Sequence, residues 1–508
     1  MATSSRASSS LSVARSERSL SRVITTSILA VAGVALALGL VACKKVLNGG
    51  SEDSFHIRMV NLVEDSPTVQ YSIDDTVIAS STYLTGTARN AGHPGDHKVT
   101  LSVLPPVSLN SADSTAAIPL GGSFTQSWAK NRDYFVYAYG TVAAPQTFVL
   151  DEDSGAVTST PDDDFITYQF VNAAPDAAAV DVYLTAPEGA ITTPTKVATL
   201  NFGAKSEITK LKLTRAADST ATGDLPVNFT IELRDPTTGA VEFTSTKQLQ
   251  AEKQQMLWAI VKNTGPGNSQ FRVVTVLPAS ALLGNVDDQA ALRVVHVSPD
   301  SGNFDVYRGS SLTTPIAQNL AFRSASPFIS VNPGTVNLIG LPAGSTSVAI
   351  LFVEEFTALA NGTYSAYTVG PQGSLEVVTT QDDPRSVPTQ SEFRFYNVAP
   401  SLSAKDPLDV YVTLPGQALD FTAATTVTTD DAAQFKRATI TYKTAPSAYV
   451  TLKSGTYQVR MTPTNTSTIV FDQQVTVVDG SVTTFALVDD IATATLQLLP
   501  VVDAAPAP

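Results

Sequence analysis

The chain has 508 residues, 43% of them hydrophobic and 15% charged, with 46 acidic against 32 basic side chains and a formal net charge of −14. An acidic balance spread this thinly excludes nucleic acid as a partner, because holding a phosphate backbone needs a basic surface. A single cysteine excludes an internal disulfide, and the length exceeds what one hydrophobic core can serve, so the chain divides into domains held by burial alone.

The first element is an export signal. Arg6, Arg15, Arg18 and Arg22 stand against Glu17 ahead of an apolar run from Val23 to Leu40, which ends in Leu40-Val41-Ala42-Cys43. A basic start, an apolar middle and small residues at the cleavage point are the marks of a secretory signal, and this ending resembles a bacterial lipoprotein signal. The resemblance implies cleavage between Ala42 and Cys43, acylation of Cys43 by diacylglyceryl and palmitate-type chains, and a mature chain hung from a membrane. Lys44 in place of Asp resembles an outer-membrane address in the Gram-negative sorting scheme. The other reading is an uncleaved anchor, since Val23–Ala42 is about long enough to cross the hydrocarbon core. Without residues 1–42 the chain loses four of 32 basic and one of 46 acidic residues, leaving 28 and 45 and a charge of about −17. Its Thr, Ser, Val and Ala content, with frequent Gly and Pro, is a β-sheet composition.

After a tether over 43–55, one pattern returns four times. It begins as Ile57-Arg58-Met59-Val60-Asn61, then as Tyr168-Gln169-Phe170-Val171-Asn172, Leu292-Arg293-Val294-Val295-His296 and Phe393-Arg394-Phe395-Tyr396-Asn397. The last three continue through Pro175-Asp176, Pro299-Asp300 or Pro400 to a second strand, Val180-Asp181-Val182-Tyr183, Phe304-Asp305-Val306-Tyr307 or Leu408-Asp409-Val410-Tyr411. In the degenerate first copy Glu64 replaces the proline and the tyrosine is displaced to Tyr71. Each copy closes on an apolar strand: Tyr134–Tyr139, Met256–Val261, Tyr364–Val369 and Thr484–Val488. Spacings of 111, 124 and 101 residues from Asn61 through Asn172 and His296 to Asn397 define repeats over 56–164, 165–286, 287–390 and 391–501, with a tail over 502–508. The Asp- and Pro-bearing joints between them are expected to be the most exposed backbone.

The paired signature, Arg293-Val294-Val295-His296 with Pro299-Asp300 followed by Asp305-Val306-Tyr307, resembles the tandem bacterial cell-surface family known as domain of unknown function 4397. The resemblance covers nearly all of the mature chain and is weakest in the first copy. It implies export and surface display, and it brings no established activity.

With a period of two, Asn61, Asn172, His296 and Asn397 end the core-facing row of each first strand. Three of the four cannot titrate, so His296 is read as a turn cap rather than a base or metal ligand; an unpaired buried polar group would cost roughly 1–3 kcal/mol. Asp181 and Tyr183, Asp305 and Tyr307, and Asp409 and Tyr411 fall on the less apolar face of the second strand. There they either grip a sugar or peptide or tie the strand to an adjacent loop or the next domain. His93, Asp96 and His97 form the one local histidine cluster, but Pro94 and Gly95 rule out the helical spacing that favours zinc. Asp151-Glu152-Asp153-Ser154-Gly155 lacks the later bidentate Glu of a calcium loop. No metal and no cofactor are expected. Nucleophile-elbow, zincin, phosphate-loop and dinucleotide motifs are absent, so no enzyme is expected either.

The expected fold is therefore all-β, four tandem immunoglobulin-like antiparallel β-sandwiches after the signal peptide, with a closed barrel or transthyretin-like topology as the nearest competitors. The expected function is a non-catalytic, lipid-anchored cell-envelope protein that displays its modules as adhesin, scaffold or spacer. The alternative is a surface lipoprotein that binds a glycan or peptide at one divergent repeat. Its partners are then the membrane, through the lipid, and an envelope glycan or protein.

Overall fold

A computed structural model gives the structure of the protein. It describes residues 54–504 except 111, 114–115, 154–164, 176–178, 214–224, 252–253, 267–268, 278–280, 346–349, 420, 422–433, 445 and 491–494. The signal, Ala42, Cys43, the tether up to 53, Ser154, Gly155 and the 161–164 joint lie outside the described residues.

The described chain is almost entirely β-strand, arranged as eight sheets that face one another in four pairs. In the third module the first strand, Ala290–His296, pairs on one side with the short strands Ser324–Ala325 and Ile329–Val331. On the other it pairs with Thr363–Val369, which in turn pairs with Glu376–Asp382. The facing sheet runs Ala317–Leu320, Phe304–Arg308, Gly334–Pro342, Phe352–Ala358. In strand sequence the sheets are thus 4-1-7-8 and 3-2-5-6, and only strands 1 and 7 run parallel. The same parallel pair recurs as Phe55–Val63 with Arg132–Gly140, Phe165–Asn172 with Gln254–Lys262, and Ser391–Asn397 with Val482–Asp490. The sandwich class is the one expected from the sequence. Its strand order is of the transthyretin-like kind, since antibody domains divide their strands as ABED and CFG.

The alternation in each first strand explains the inner packing. Leu292 and Val294 join Phe304, Val306 and Leu338 in the third core; Phe393 and Phe395 join Val410 and Val459 in the fourth; Tyr168 and Phe170 pack on Trp258 and Phe229 in the second. Each such side chain contributes roughly 1.5–3 kcal/mol when fully buried. The outward face of the same strands is buried as well. Val295 and Val297 meet Tyr396, Val398, Ala486 and Val488 of the fourth module, and Val60 and Leu62 meet Val171, Ala173, Leu257 and Ala259 of the second. The modules therefore stand back to back, first on second and third on fourth, through the sheets that carry the parallel pair.

One joint, over 382–390, departs from the expected exposure. Asp382, Val387 and Gln390 are buried, and Ser386 Oγ donates to the Gly480 carbonyl at 2.7 Å while Gly480 N–H donates to the Gln390 carbonyl at 2.7 Å. This joint is thereby stitched to the fourth module. At the preceding joint Gly284, Val286 and Asp287 are exposed, and Asp288 is buried against Arg272 at 2.7 Å. Limited proteolysis, read by mass spectrometry of the fragments, should accordingly cut within 284–287 well before 382–390. Early cleavage at Val387 would contradict the buried joint.

Candidate functional site

The four recurring polar residues at the ends of the first strands are fully buried and do one job. Each presents an acceptor to the N–H two residues on: Asn61 Oδ1 to Val63 at 3.1 Å, Asn172 Oδ1 to Ala174 at 3.1 Å, His296 Nδ1 to Ser298 at 3.3 Å, Asn397 Oδ1 to Ala399 at 3.2 Å. Each also sends a donor across the turn. Asn61 Nδ2 reaches the Ser81 carbonyl at 3.2 Å, Asn172 Nδ2 the Leu200 carbonyl at 3.1 Å, His296 Nε2 the Gly302 carbonyl at 2.9 Å and Asn397 Nδ2 the Asp406 carboxylate at 2.9 Å. Nδ1 can accept only if it is bare, so the imidazole is neutral with its proton on Nε2. In that tautomer it copies the acceptor and donor of an asparagine amide. The cap's own carbonyl accepts from a left-handed residue: Leu84, Gly203 and Arg323 at 2.8 Å and Lys443 at 3.0 Å, with φ of 63°, 78°, 65° and 58°.

Burial pushes the His296 imidazole down to about 4, against the opposing pull of the Gly302 carbonyl. Its ordinary value in the unfolded chain is near 6.5, so between these values the unfolded state binds the extra proton. The stabilisation is fully present above about pH 6.5 and is lost as pH falls toward 4, a span worth roughly 3 kcal/mol. His296→Asn should keep the neutral-pH melting temperature and flatten this acid loss, whereas His296→Ala should cost about 1–3 kcal/mol at neutral pH. Calorimetric melts from pH 7.5 to 4.5 test both expectations, and an asparagine variant as acid-sensitive as the parent would overturn the capping role.

The second-strand carboxylates are not an open binding face. Asp181, Asp305 and Asp409 are buried, and their oxygens are committed to the adjoining strands and, for the last two, to a following turn as well. Asp181 holds Lys196 Nζ at 2.7 Å and accepts from Thr199 at 2.6 Å; burial would raise its carboxyl, but these two partners outweigh that and hold it below its ordinary range. Asp305 accepts from the Asn319 and Gly344 N–H groups at 2.6 and 2.9 Å, and Asp409 from the Thr439 and Thr464 hydroxyls at 2.8 and 3.1 Å. Of their tyrosines, Tyr307 is buried, Tyr183 lies half-buried under the Arg234 guanidinium at 4.1 Å, and Tyr411 meets the Phe421 ring with centroids 5.8 Å apart. Each carboxylate thus ties its strand mainly to the strand hydrogen-bonded beside it.

At the histidine cluster, His97 Nδ1 pairs with Asp74 at 2.7 Å and Nε2 with the His93 carbonyl at 2.8 Å, so its ring locks a hairpin. Asp151 pairs with Arg132 at 2.6 Å. Among the described residues no group of three His, Cys, Asp or Glu is placed to hold a metal ion.

The arrangement missed by sequence reasoning lies between the third and fourth modules. Arg293 Nε donates to Ser365 Oγ at 2.7 Å and Nη1 to the Val502 carbonyl at 2.6 Å, while Nη2 pairs with Asp503. Arg394, at the same position of the fourth module, mirrors it: Nε to Thr484 at 2.8 Å, Nη1 to the Gln381 carbonyl at 2.9 Å, Nη2 to Asp382 at 2.6 Å. The accepting hydroxyls close each half, Ser365 to Asp382 at 2.5 Å and Thr484 to Asp503 at 2.7 Å. Each arginine thus crosses to the other module's aspartate about a pseudo-two-fold axis, and all four side chains are buried. Phe328 and Tyr449 cover the guanidiniums at 4.6 and 4.4 Å. Outside them the left-handed residues add Arg323 to Asp490 at 2.7 Å and Lys443 to Glu376 at 2.9 Å.

The equivalent face between the first and second modules has an apolar centre, with Lys262 of the second paired to Glu64 of the first at 3.4 Å. Gln169, in the place of the crossing arginines, donates to the Ser206 carbonyl at 2.7 Å within its own module, and Arg58 lies over Phe135 at 5.8 Å. Gly203 stands where the charged left-handed residues would be. A Cβ there would come within 2.9 Å of the Tyr139 hydroxyl of the first module, so it is closeness that favours glycine, since Leu84, Arg323 and Lys443 adopt the same left-handed φ. A third contact joins the first and fourth modules. Leu109, 3% exposed, belongs to the fourth module's core, Lys453 N–H donates to the Val107 carbonyl at 3.0 Å, and Lys453 Nζ pairs with Asp113 at 2.8 Å.

Residues 290–411, from the third module's first strand to the fourth module's Asp409 and Tyr411, match the model of a family described as "Domain of unknown function (DUF4397)". The chain resembles that family. Among solved structures, the Bacillus anthracis TIE protein is matched at 9% identity over 87% of this chain and 75% of that one, with a TM-score of 0.15. A protein from Bacteroides ovatus titled "putative adhesin" is matched at 10% identity over 48% and 99%, also at 0.15. No curated protein matches the chain.

Removing one member of a buried pair leaves a charge without a partner, at a cost of about 3–5 kcal/mol, whereas replacing both with apolar groups is often neutral. Asp503→Ala should therefore strongly destabilise the third and fourth modules together, and Arg293→Met combined with Asp503→Leu should recover most of that loss. Calorimetry suits the measurement, because Trp128 and Trp258 report only on the first two modules. A single variant as stable as the parent would show that the crossing contributes nothing.

Proposed function

We propose that the protein is a non-catalytic scaffold of the cell envelope, anchored by a lipid on Cys43 and displaying four β-sandwich modules bounded near residues 164, 286 and 390. One observation carries the scaffold reading. The recurring polar residues of the four modules spend their hydrogen-bonding groups on turns, loops and inter-module faces, so the repeated pattern is a set of instructions for building and stacking sandwiches. Nothing in that set is left over as shared reaction chemistry. The display half of the reading rests on the signal grammar before Cys43 and, in a Gram-negative host, on Lys44, which favours the outer membrane.

Cys43→Ser should abolish labelling by a clickable palmitate analogue and leave the signal uncleaved, as followed by gel mobility and the mass of the mature N-terminus. A mature chain beginning anywhere other than Cys43 would refute the anchor. Removing the anchor should leave the melting profile of the modules unchanged, since among the described residues the four cores are built from Phe55 onward.

A further inference from the structure

Where the degenerate first module meets the fourth, a cleft of about 240 Å³ is lined by Thr68 and Tyr83 of the first module, by Arg385 and Gln390 of the joint, and by Glu392 and Thr451 of the fourth. The first module's departure from the shared signature builds one wall. Glu64-Asp65-Ser66-Pro67 replaces the Pro-Asp turn of the other copies, Asn61 Nδ2 holds the buried Ser66 hydroxyl at 3.0 Å, and the Ser66 carbonyl accepts Arg385 Nη1 at 2.7 Å. Tyr83 lies against the same guanidinium at 5.3 Å. Arg385 is thus fixed in plane by two contacts, with its other N–H groups left for a guest. Glu392, in the same lining, accepts Gln390 Nε2 on Oε1 at 2.7 Å, which leaves Oε2. Arg385 and Glu392 form no ion pair with each other, although they share a space that holds roughly eight waters.

Opposite charges lining one small volume favour a guest that carries both signs; burial raises the Glu392 carboxyl, and an ammonium beside it would offset that cost. We propose that the cleft binds a zwitterion of amino-acid size, its carboxylate on Arg385 and its ammonium on Glu392. The fork geometry of a guanidinium suits a carboxylate. The volume falls below the roughly 300–1,000 Å³ of drug-sized pockets, which disfavours an oligosaccharide. This binding activity goes beyond the scaffold role, and either can fail without the other.

Isothermal titration of the full-length protein with glycine, alanine and serine tests it, beside their N-acetyl and amide forms and N-acetylglucosamine. Free amino acids should bind, and loss of either charge should weaken binding by about tenfold or more, a difference of one decade in Kd. Glu392→Gln should remove the penalty for N-acetylation. Thr451→Trp, which fills the cleft from the position paired with Glu392 and removes neither charge, should abolish binding at an unchanged melting temperature; it decides the matter if the Glu392 variant misfolds. The proposal is overturned by no heat from any amino acid at about 10 mM, by equal affinity for the blocked forms, by binding that survives Thr451→Trp, or by a response to the saccharide alone.

Discussion

Burial of both faces of the first strand is the constraint on which the rest of the structure depends. A strand with one wet face can alternate apolar and polar residues, but one enclosed on both sides must be apolar throughout or satisfy every polar group it carries. The first strands take both courses. Val294 and Val295 turn to opposite cores, Arg293 finds a hydroxyl, a carbonyl and a carboxylate, and His296 finds a donor and an acceptor. Because strands 1 and 7 are parallel neighbours in the enclosed sheet, Tyr367 arrives beside Val295 and meets Tyr396 of the facing module edge-on at 5.2 Å.

The inter-module faces distinguish partners by what they would leave unpaired. A module bearing Arg323 and Arg293 set against the apolar face of the first module would bury charges without acceptors, and Gly203 leaves room only for a close ring such as Tyr139. Mismatched stacking is therefore penalised more than correct stacking is favoured, which is how discrimination between similar surfaces is commonly achieved.

Much of this was legible in the sequence. Composition and period-two patterning gave the all-β class, and the recurrence of Asn61, Asn172, His296 and Asn397 pointed to a capping role shared by a titrating and three non-titrating residues. The back-to-back packing was not read, although its signal was present: Val294-Val295, Phe395-Tyr396 and Phe170-Val171 break strict alternation because their strands have no wet side. For the Asp-x-Tyr pairs the sequence leaves two readings, ligand grip or tie, because strand periodicity says which side a residue occupies but not what covers that side. The crossed arginines were hidden for another reason. Arg293 and Asp503 are 210 positions apart, and local pattern carries no information about pairing at that range.

That separation has a consequence for how the molecule comes into being. As the chain emerges from its N-terminal end, the third sandwich can collapse around Leu292, Val294 and Phe304 while its enclosed sheet still faces water and Arg293 still lacks Asp503. Completion waits for the fourth sandwich, which contributes the missing aspartate and carries its own arginine to Asp382. Contacts between such distant positions are slow to form, and a half-built sandwich with an uncovered apolar sheet is vulnerable to aggregation. The charged groups on that waiting face keep it hydrated in the interval, and their dehydration is deferred until the partner that neutralises them has arrived.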